Sequence, residues 1–288
     1  VSTPSDALAI TVDTTAPTVS SIAITGATGA LASTLNAGDV VSATVTMDSN
    51  TVVTGAPQLA LNIGGTTVQA SYASGSGTTE LVFTYTILAN QTDTDGISVD
   101  ANALSLNSGT LTDVAGNTAT ITSVAVAANN SYLVDTTAPT KPGTPDLDIN
   151  SDTGSSGSDD ITTDTTPTVT GSGQTEGDTI TLTSVVDGSV GTAVVANDGT
   201  WSITASALTV GTQSLTVTAT DAAGNVSTPS DALAITVDTT APTAQVTSTT
   251  SAGSYAQGDT VNITVTFDEA VTLGGTSPTL SAQLETGT

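Results

Sequence analysis

Apolar and polar residues alternate with a period of two along most of this chain. The first half carries ALAITV (7–12), VVSATVTM (40–47), LALNIGG (59–65), TVQASY (67–72), ELVFTYTI (80–87) and ATITSVAV (119–126). The second half carries DTITLTSV (178–185), TAVVA (192–196), TWSITA (200–205), QSLTVTAT (213–220) and DALAITV (231–237). A two-residue period places alternate side chains on opposite faces of a strand, so each stretch is read as a β-strand with one buried and one solvated face. Gly, Asn, Asp and Pro interrupt the pattern about every 8–12 residues, the spacing of a β-sandwich. IGGTT (63–67) predicts a tight hairpin at Gly64-Gly65, and NDGTW (197–201) predicts another at Asp198-Gly199. No stretch shows the 3.6-residue period of an amphipathic helix. The expected core is small and aliphatic, with Phe83, Tyr72 and Tyr85 in the first half and Trp201 in the second.

Internal repetition organises these strands. Residues 1–18 and 226–243 share the string VSTPSDALAITVDTTAPT, an offset of 225 residues, and VDTTAPT occurs a third time at Val134–Thr140. The three copies divide the chain into four parts. Residues 1–18 are the end of a preceding module plus a linker, 19–136 a module of type A, and 137–239 a module of type B. Residues 240–288 are the start of a second type A module, because GDTVNITVTF (258–267) parallels GDVVSATVTM (38–47). Both segments run on to an acid, a Pro and a Leu: Asp48, Pro57 and Leu59, and Asp268, Pro278 and Leu280. Three strands do not close a sandwich, so either the protein continues beyond Thr288 or another chain supplies the missing strands.

Composition narrows what such a protein does. It has 288 residues, 27 of them acidic against one basic residue, Lys141, for a net charge of −26. Such a polyanion cannot neutralise phosphates, which argues against nucleic acid, and it is repelled by anionic lipid. It has no apolar run long enough for a transmembrane helix. With neither His nor Cys, the usual zinc sites, Ser-His and Cys-His catalysis and disulfides are all unavailable. Hydrophobic residues nonetheless make up 37% of the chain, which favours a folded protein over a disordered one. Oxygen ligands without nitrogen or sulfur partners point to Ca²⁺.

Three features occur together: the VDTTAPT linkers, a DxAGN loop ahead of the last strand (Asp113 to Asn117 and Asp221 to Asn225), and SDTGSSGSDDITTDTTPTVTG (151–171). In combination they resemble the tandem bacterial immunoglobulin-like domains of giant repetitive surface adhesins, many of them type I-secreted and RTX-like. The resemblance covers essentially the whole chain. It implies an all-β protein of tandem immunoglobulin-like β-sandwiches, extended like beads on a string. It also implies a stalk, rigidified by calcium, on the outside of a bacterial cell, holding a distal adhesive domain.

Strand order locates the acids independently of that resemblance. In an antiparallel sandwich the loops after strands B and F return to the end where strand A begins. That brings together Asp13 of the linker, Asp48, Asp113 and Asn117 at the first junction. It groups Asp135, Asp221 and Asn225 at the second, and Asp238, Asp268 and Glu269 at the third. Asp93 and Asp95 fall at the opposite end of the first module, facing the second junction. Asp146 and Asp148, with Asp152, Asp159, Asp160 and Asp164, are expected to approach that junction from the other side. Acids this dense repel one another by about 1 kcal/mol per pair at 4 Å in water, and more in a lower dielectric. A divalent ion relieves that repulsion. Each Asp also has a plainer reading as a turn residue bonding nearby backbone N–H groups, and for Asp39, Asp178 and Asp259, all in Gly-Asp pairs, this is preferred.

The leading functional expectation is an extender segment whose modules are stiffened by calcium and whose partners are its neighbours in one long chain. The alternative is a subunit of an extracellular filament or matrix fibre, completed in trans by like chains. A sugar- or peptide-binding module needs exposed aromatics, which make up only 2% of the chain. An enzyme is not expected, since pairs such as Asp159-Asp160 lack sugar platforms and a positioning Arg.

Overall fold

The computed structural model describes residues 10–153 and 156–271; residues 1–9 of the first repeat and the Pro278 and Leu280 parallel lie outside them. The described residues are all-β, arranged as tandem β-sandwich modules of the immunoglobulin-like class. Two separate apolar cores lie along the chain. One gathers residues from Ile22 to Val134 and the other from Leu147 to Val237.

In the first module a large sheet takes the order Val19–Thr28, Val40–Thr54, Thr78–Thr86, Thr66–Ser74, Gln58–Ile63 and Leu104–Ser105. Every second residue of Val40–Met47 and of Gln58–Ile63 is buried, so the two-residue period of the sequence is the period of the core. Phe83 is fully buried and meets Tyr72 edge to face. A smaller sheet faces the large one: Thr34–Leu35, Leu133–Asp135 and Thr92–Asp93, the first two parallel. The expected hairpin at Gly64-Gly65 is present, with Ile63 paired to Thr66 and both glycines at positive φ.

The second module is a three-on-five sandwich. Asp146–Leu147, Thr168–Gly171 and Trp201–Thr204 form one sheet. Ile161–Thr162, Leu233–Val237, Gly211–Thr220, Thr179–Ser184 and Gly188–Val194 form the other. The side chain of Trp201, 5% exposed, lies over Gly171, where a Cβ would stand 2.2 Å from the ring. In the third segment Ala244–Ser248 pairs with Ile263–Phe267.

Three expectations are corrected. ATITSVAV (119–126) is not a laddered strand. It makes only isolated bridges, Thr120 to Thr18 and Val126 to Val99, while Ala119, Ile121 and Val126 pack against the core. NDGTW (197–201) is a tight turn, with Gly199 at positive φ and Asp198 bonding Thr200, but the strands on either side belong to opposite sheets, so it is no hairpin.

The third correction concerns Asp146, Asp148 and the acids that follow them. Asp146–Leu147 pairs with Thr170 and Val169, then the chain crosses to the other sheet. There Ile161–Thr162 runs parallel to Thr236–Val237, the end of the closing strand. The acidic loop between them is therefore at the outgoing end of the module, beside Asp238, and not at the second junction. Backbone bonds from Thr236 N to the Asp160 carbonyl and from Asp238 N to the Thr162 carbonyl hold it there.

Candidate functional site: the module ends

The linkers are fastened by a motif that recurs atom for atom. Asp113 and Asn117 close the DVAGN turn, in which Gly116 takes φ +94°. The Asn117 backbone N donates to Asp113 Oδ1, and its Nδ2 donates to Asp113 Oδ2 and to the Asp13 carbonyl of the linker. In the second module Asn225 N donates to Asp221 Oδ1, and its Nδ2 donates to Asp221 Oδ2 and the Asp135 carbonyl. Each carboxylate shapes the Asn side chain, and the amide clasps the incoming linker. Asp13, Asp135 and Asp238 cap their own linker turns, accepting from Thr15, Thr137 and Thr240.

A second fastening occurs in the first module and in the third segment. Both oxygens of Asp48 accept from Thr18, N to Oδ1 at 2.8 Å and Oγ1 to Oδ2 at 2.6 Å. Asp268 holds Thr243 in the same way. The Gly-Asp turns repeat as well, since Asp39 accepts from Asn36 N and Asp259 from Ala256 N. These acids are local braces. The first-junction set thus comes together around Asp13 and Asp113, which share a shallow cavity rim with Ser49 and Asn50, with Asn117 bonded to both and Asp48 joined through Thr18. At the third junction Asp268 engages Thr243, and Glu269 follows it in sequence.

One junctional contact was not legible in the sequence. Asn36 Nδ2 of the first module donates to the Ala223 carbonyl of the second at 2.9 Å. A Cβ on Gly224, at φ +86°, would meet Leu31 at 2.9 Å. The DAAGN loop therefore grips the linker with Asn225 and touches the preceding module with its glycine. A side chain at position 224 would disfavour both the backbone conformation and the contact.

Asp93 is almost completely buried. Its Oδ2 accepts from Gly64 N, and its Oδ1 accepts from Gly96 N and Asp95 N. It ties the Gly64-Gly65 hairpin to the following loop and sits beside Asp135. Asp95 is exposed.

The outgoing end of the second module is electrostatically different. Burial, then Asp152, Asp146 and Asp159, push the Asp160 carboxyl above the usual range. Asp152 is 7% exposed; among the described residues its Oδ1 has no hydrogen-bond partner, and its Oδ2 has only a 3.4 Å contact from Asp160 N. Asp148 Oδ1 is engaged by Asn150. At the incoming end Asp178 is also raised, by burial and then by Asp221.

Donor chemistry here fits a hard divalent cation, since every available side-chain ligand is an oxygen. Its geometry is uneven. Among the described residues no group of three or more His, Cys, Asp or Glu stands ready at metal-binding distance. The orphaned, buried Asp152 Oδ1 is the atom that most clearly wants a cation.

Asp48 and Asp268 respond to pH in the opposite direction from Asp160. Hydrogen bonds from the Thr18 and Thr243 side chains, then their backbone N–H groups, hold these two carboxyls below 3.8. A depressed folded value stabilises above the unfolded pKa, and that stabilisation is lost as pH falls through the folded value. In chelator, the Thr18 and Thr243 amide resonances should therefore shift at lower pH than an ordinary aspartate titrates. If they move first, the braces do not form in solution.

The bacterial Ig-like domain family matches residues 137–239. No curated protein matches the sequence. Among solved structures, a Ca²⁺-stabilised, ice-binding adhesin of an Antarctic bacterium is 24% identical, with 80% of this chain and 52% of that one covered and a TM-score of 0.38. A 1.5-MDa bacterial ice-binding adhesin, studied for its retention at the host cell surface, is 19% identical, with coverages of 77% and 63% and a TM-score of 0.32. A tetra-tandem repeat from the extending region of a large adhesion protein is 19% identical, with coverages of 81% and 52% and a TM-score of 0.27. At these scores the three likenesses carry no functional weight, and the chain spans between about half and two thirds of the length of each.

Proposed function

We propose, from the premise that residues 137–239 are a bacterial Ig-like domain, that this chain is a structural extender of a bacterial cell-surface adhesin. It acts outside the cell, by holding modules in a fixed end-to-end relation, and performs no catalysis. The observation that carries this reading is the repeated clasp. Two modules of different type grip their incoming linkers through the same Asn side-chain atoms, Asn117 on Asp13 and Asn225 on Asp135. A device that recurs at successive junctions fits a mechanical part. The neighbouring modules of the same chain are the partners.

Calcium is the proposed reinforcement. The residues that would hold it are Asp13, Asp48, Asp113 and Asn117 at the first junction, and Asp93, Asp95, Asp135, Asp221 and Asn225 at the second. Asp238, Asp268 and Glu269 would serve at the third, joined there by Asp146 and Asp148. A bound divalent cation neutralises converging carboxylates and crosslinks them through oxygen. The protein's own amides already fasten each linker, so calcium is expected to stiffen junctions that exist without it.

The test is small-angle scattering with broad-specificity proteolysis on the whole chain. Proteinase K is suitable, because a single Lys leaves trypsin almost no site. Chelation should shorten the maximum dimension and open cleavage at VDTTAPT. Asn117→Ala with Asn225→Ala should do the same even in calcium. Unchanged profiles under both treatments would sink the extender mechanism; a response to the Asn variants alone would retire only the calcium.

A further inference from the structure

We propose that the end of the first module carrying Leu31 and Asn36 is a docking surface for the DAAGN turn of the second, and that this contact sets the angle between the two modules without any metal.

The Asn225 clasp by itself leaves a pivot, because one bond to the Asp135 carbonyl holds a point on the linker and not a direction. Two further contacts act at other points. Asn36 Nδ2 of the first module donates to the Ala223 carbonyl at 2.9 Å. Leu31 stands so close to Gly224 that a Cβ there would lie 2.9 Å from Leu31 Cδ1 and 3.2 Å from Asn36 Nδ2. The amides are reciprocal: the second module holds the linker with Asn225, and the first module holds the second with Asn36. Leu31 stays 53% exposed, so it serves as a stop against the turn and not as part of a core. Two bonds in opposite directions and a stop resist rotation where one bond does not.

The hairpin that presents Leu31 is strained. Leu31 and Thr34 exchange both backbone bonds across a two-residue turn whose central residues, Ala32 and Ser33, take φ +47° and +68°. Such a turn favours Asn-Gly, and Ala and Ser rarely enter this region. Strain of this kind persists where the surroundings over-determine it, and it collects at sites with a role. The closing strand supplies the constraint. Leu133 N donates to the Ser33 carbonyl, and Leu133–Asp135 runs beside Thr34–Leu35 and on into the linker. The strained turn, the linker and the docked loop are thereby joined in one unit.

The contact is particular to this pair of modules. Aligned on Gly38-Asp39 and Gly258-Asp259, the third segment has Ser251 in place of Leu31, Ala256 in place of Asn36 and Gly253 in place of the strained Ser33. Its sequence keeps the Gly-Asp pair and drops the stop and the amide. The lock rests on the extender reading for its purpose and not for its existence. With it in place, chelation should loosen the first and third junctions and leave the second ordered.

Spin labels test this directly. The chain has no Cys, so Gln69→Cys and Thr192→Cys, exposed and one in each module, give two unique positions. Double electron–electron resonance on the whole chain in chelator should show one narrow distance peak. Leu31→Ser with Asn36→Ala, the third segment's own residues, should lose that peak to a broad spread. The turn bonds of Leu31 to Thr34 and of Asn36 to Asp39 are made by the backbone of Leu31 and Asn36, so the double variant should keep the melting midpoints of both modules by tryptophan and tyrosine fluorescence. A broad wild-type distribution in chelator, or a narrow peak that survives the double variant, overturns the lock. Neither outcome bears on the extender reading, which stands or falls on the scattering of the Asn117 and Asn225 variants.

Discussion

Gly171→Val should unfold the second module while leaving the first intact. Gly171 ends the strand Thr168–Gly171 opposite Trp201, and a Cβ there would stand 2.2 Å from Cζ2 and 2.6 Å from Cε2 of the indole. No rotamer of Val avoids that overlap, so either the strand or the ring must leave. Overpacking a core commonly costs about 1–3 kcal/mol, and losing a buried Trp from its seat about 3–5 kcal/mol. Trp201 seals one edge between the two sheets, so the upper range of about 3–5 kcal/mol is expected. With one Trp in the chain, its fluorescence reads the second module alone, and the transition should move to markedly lower denaturant. Tyrosine signals from the first module, where Tyr72 and Tyr85 pack on the core, should hold their midpoint. A shift below about 1 kcal/mol, the usual cost of tolerated apolar swaps, would mean that the ring slides aside and is not the keystone argued here.

Independent melting of the two modules matters for an extender, because its stability then depends on modules and junctions separately. Much of each module was legible in sequence. Val40–Met47, Gln58–Ile63 and Gly211–Thr220 bury alternate residues as their period required. Asp39 and Asp259 are the turn residues that Gly-Asp pairs suggested, and Gly38 and Gly258 before them take φ near +100°. The segments GDVVSATVTM and GDTVNITVTF, alike in sequence, are each followed by an aspartate in a matching brace, Thr18 on Asp48 and Thr243 on Asp268.

What was not legible has a common cause. A period of two says which face a residue occupies but not which sheet its strand joins. ATITSVAV alternates well and packs on the core, yet finds no neighbour to ladder with beyond single bridges. The strand before the acidic loop is two residues long, as is the strand after it. Neither is long enough to carry a pattern, and the switch between sheets that sends Asp152 and Asp160 to the outgoing end happens between them. Asn36 meeting Ala223 is likewise a property of three-dimensional placement, since the two residues are 187 apart in sequence.

The same difficulty of separating a turn residue from a ligand is resolved most sharply at Asp93. Asp93→Ala should lower the melting temperature of the first module by about 10 °C or more, with or without calcium. The side chain is 3% exposed, and three backbone N–H groups converge on it, from Gly64, Asp95 and Gly96. Removing the carboxylate strands the Gly96 N–H in a buried site and takes away the bonds to Gly64 and Asp95, which are exposed. A buried donor left without a partner costs about 1–3 kcal/mol and each lost exposed bond about 0.5–1.5 kcal/mol, so a total of about 3 kcal/mol is expected. For a domain of this size each kcal/mol moves the transition by about 4–8 °C. Gly64 cannot compensate by moving, because it is held at φ +55° with the Thr92 carbonyl where a Cβ would be. Asp93→Asn should fall between wild type and Ala, since one oxygen still accepts from Gly96 while the amide faces the donor of Gly64. Calorimetry in chelator and in excess Ca²⁺ then decides the role. A loss of equal size in both makes Asp93 a brace for the hairpin next to the second junction. A loss confined to calcium would make it a metal ligand, and the three amides would be incidental.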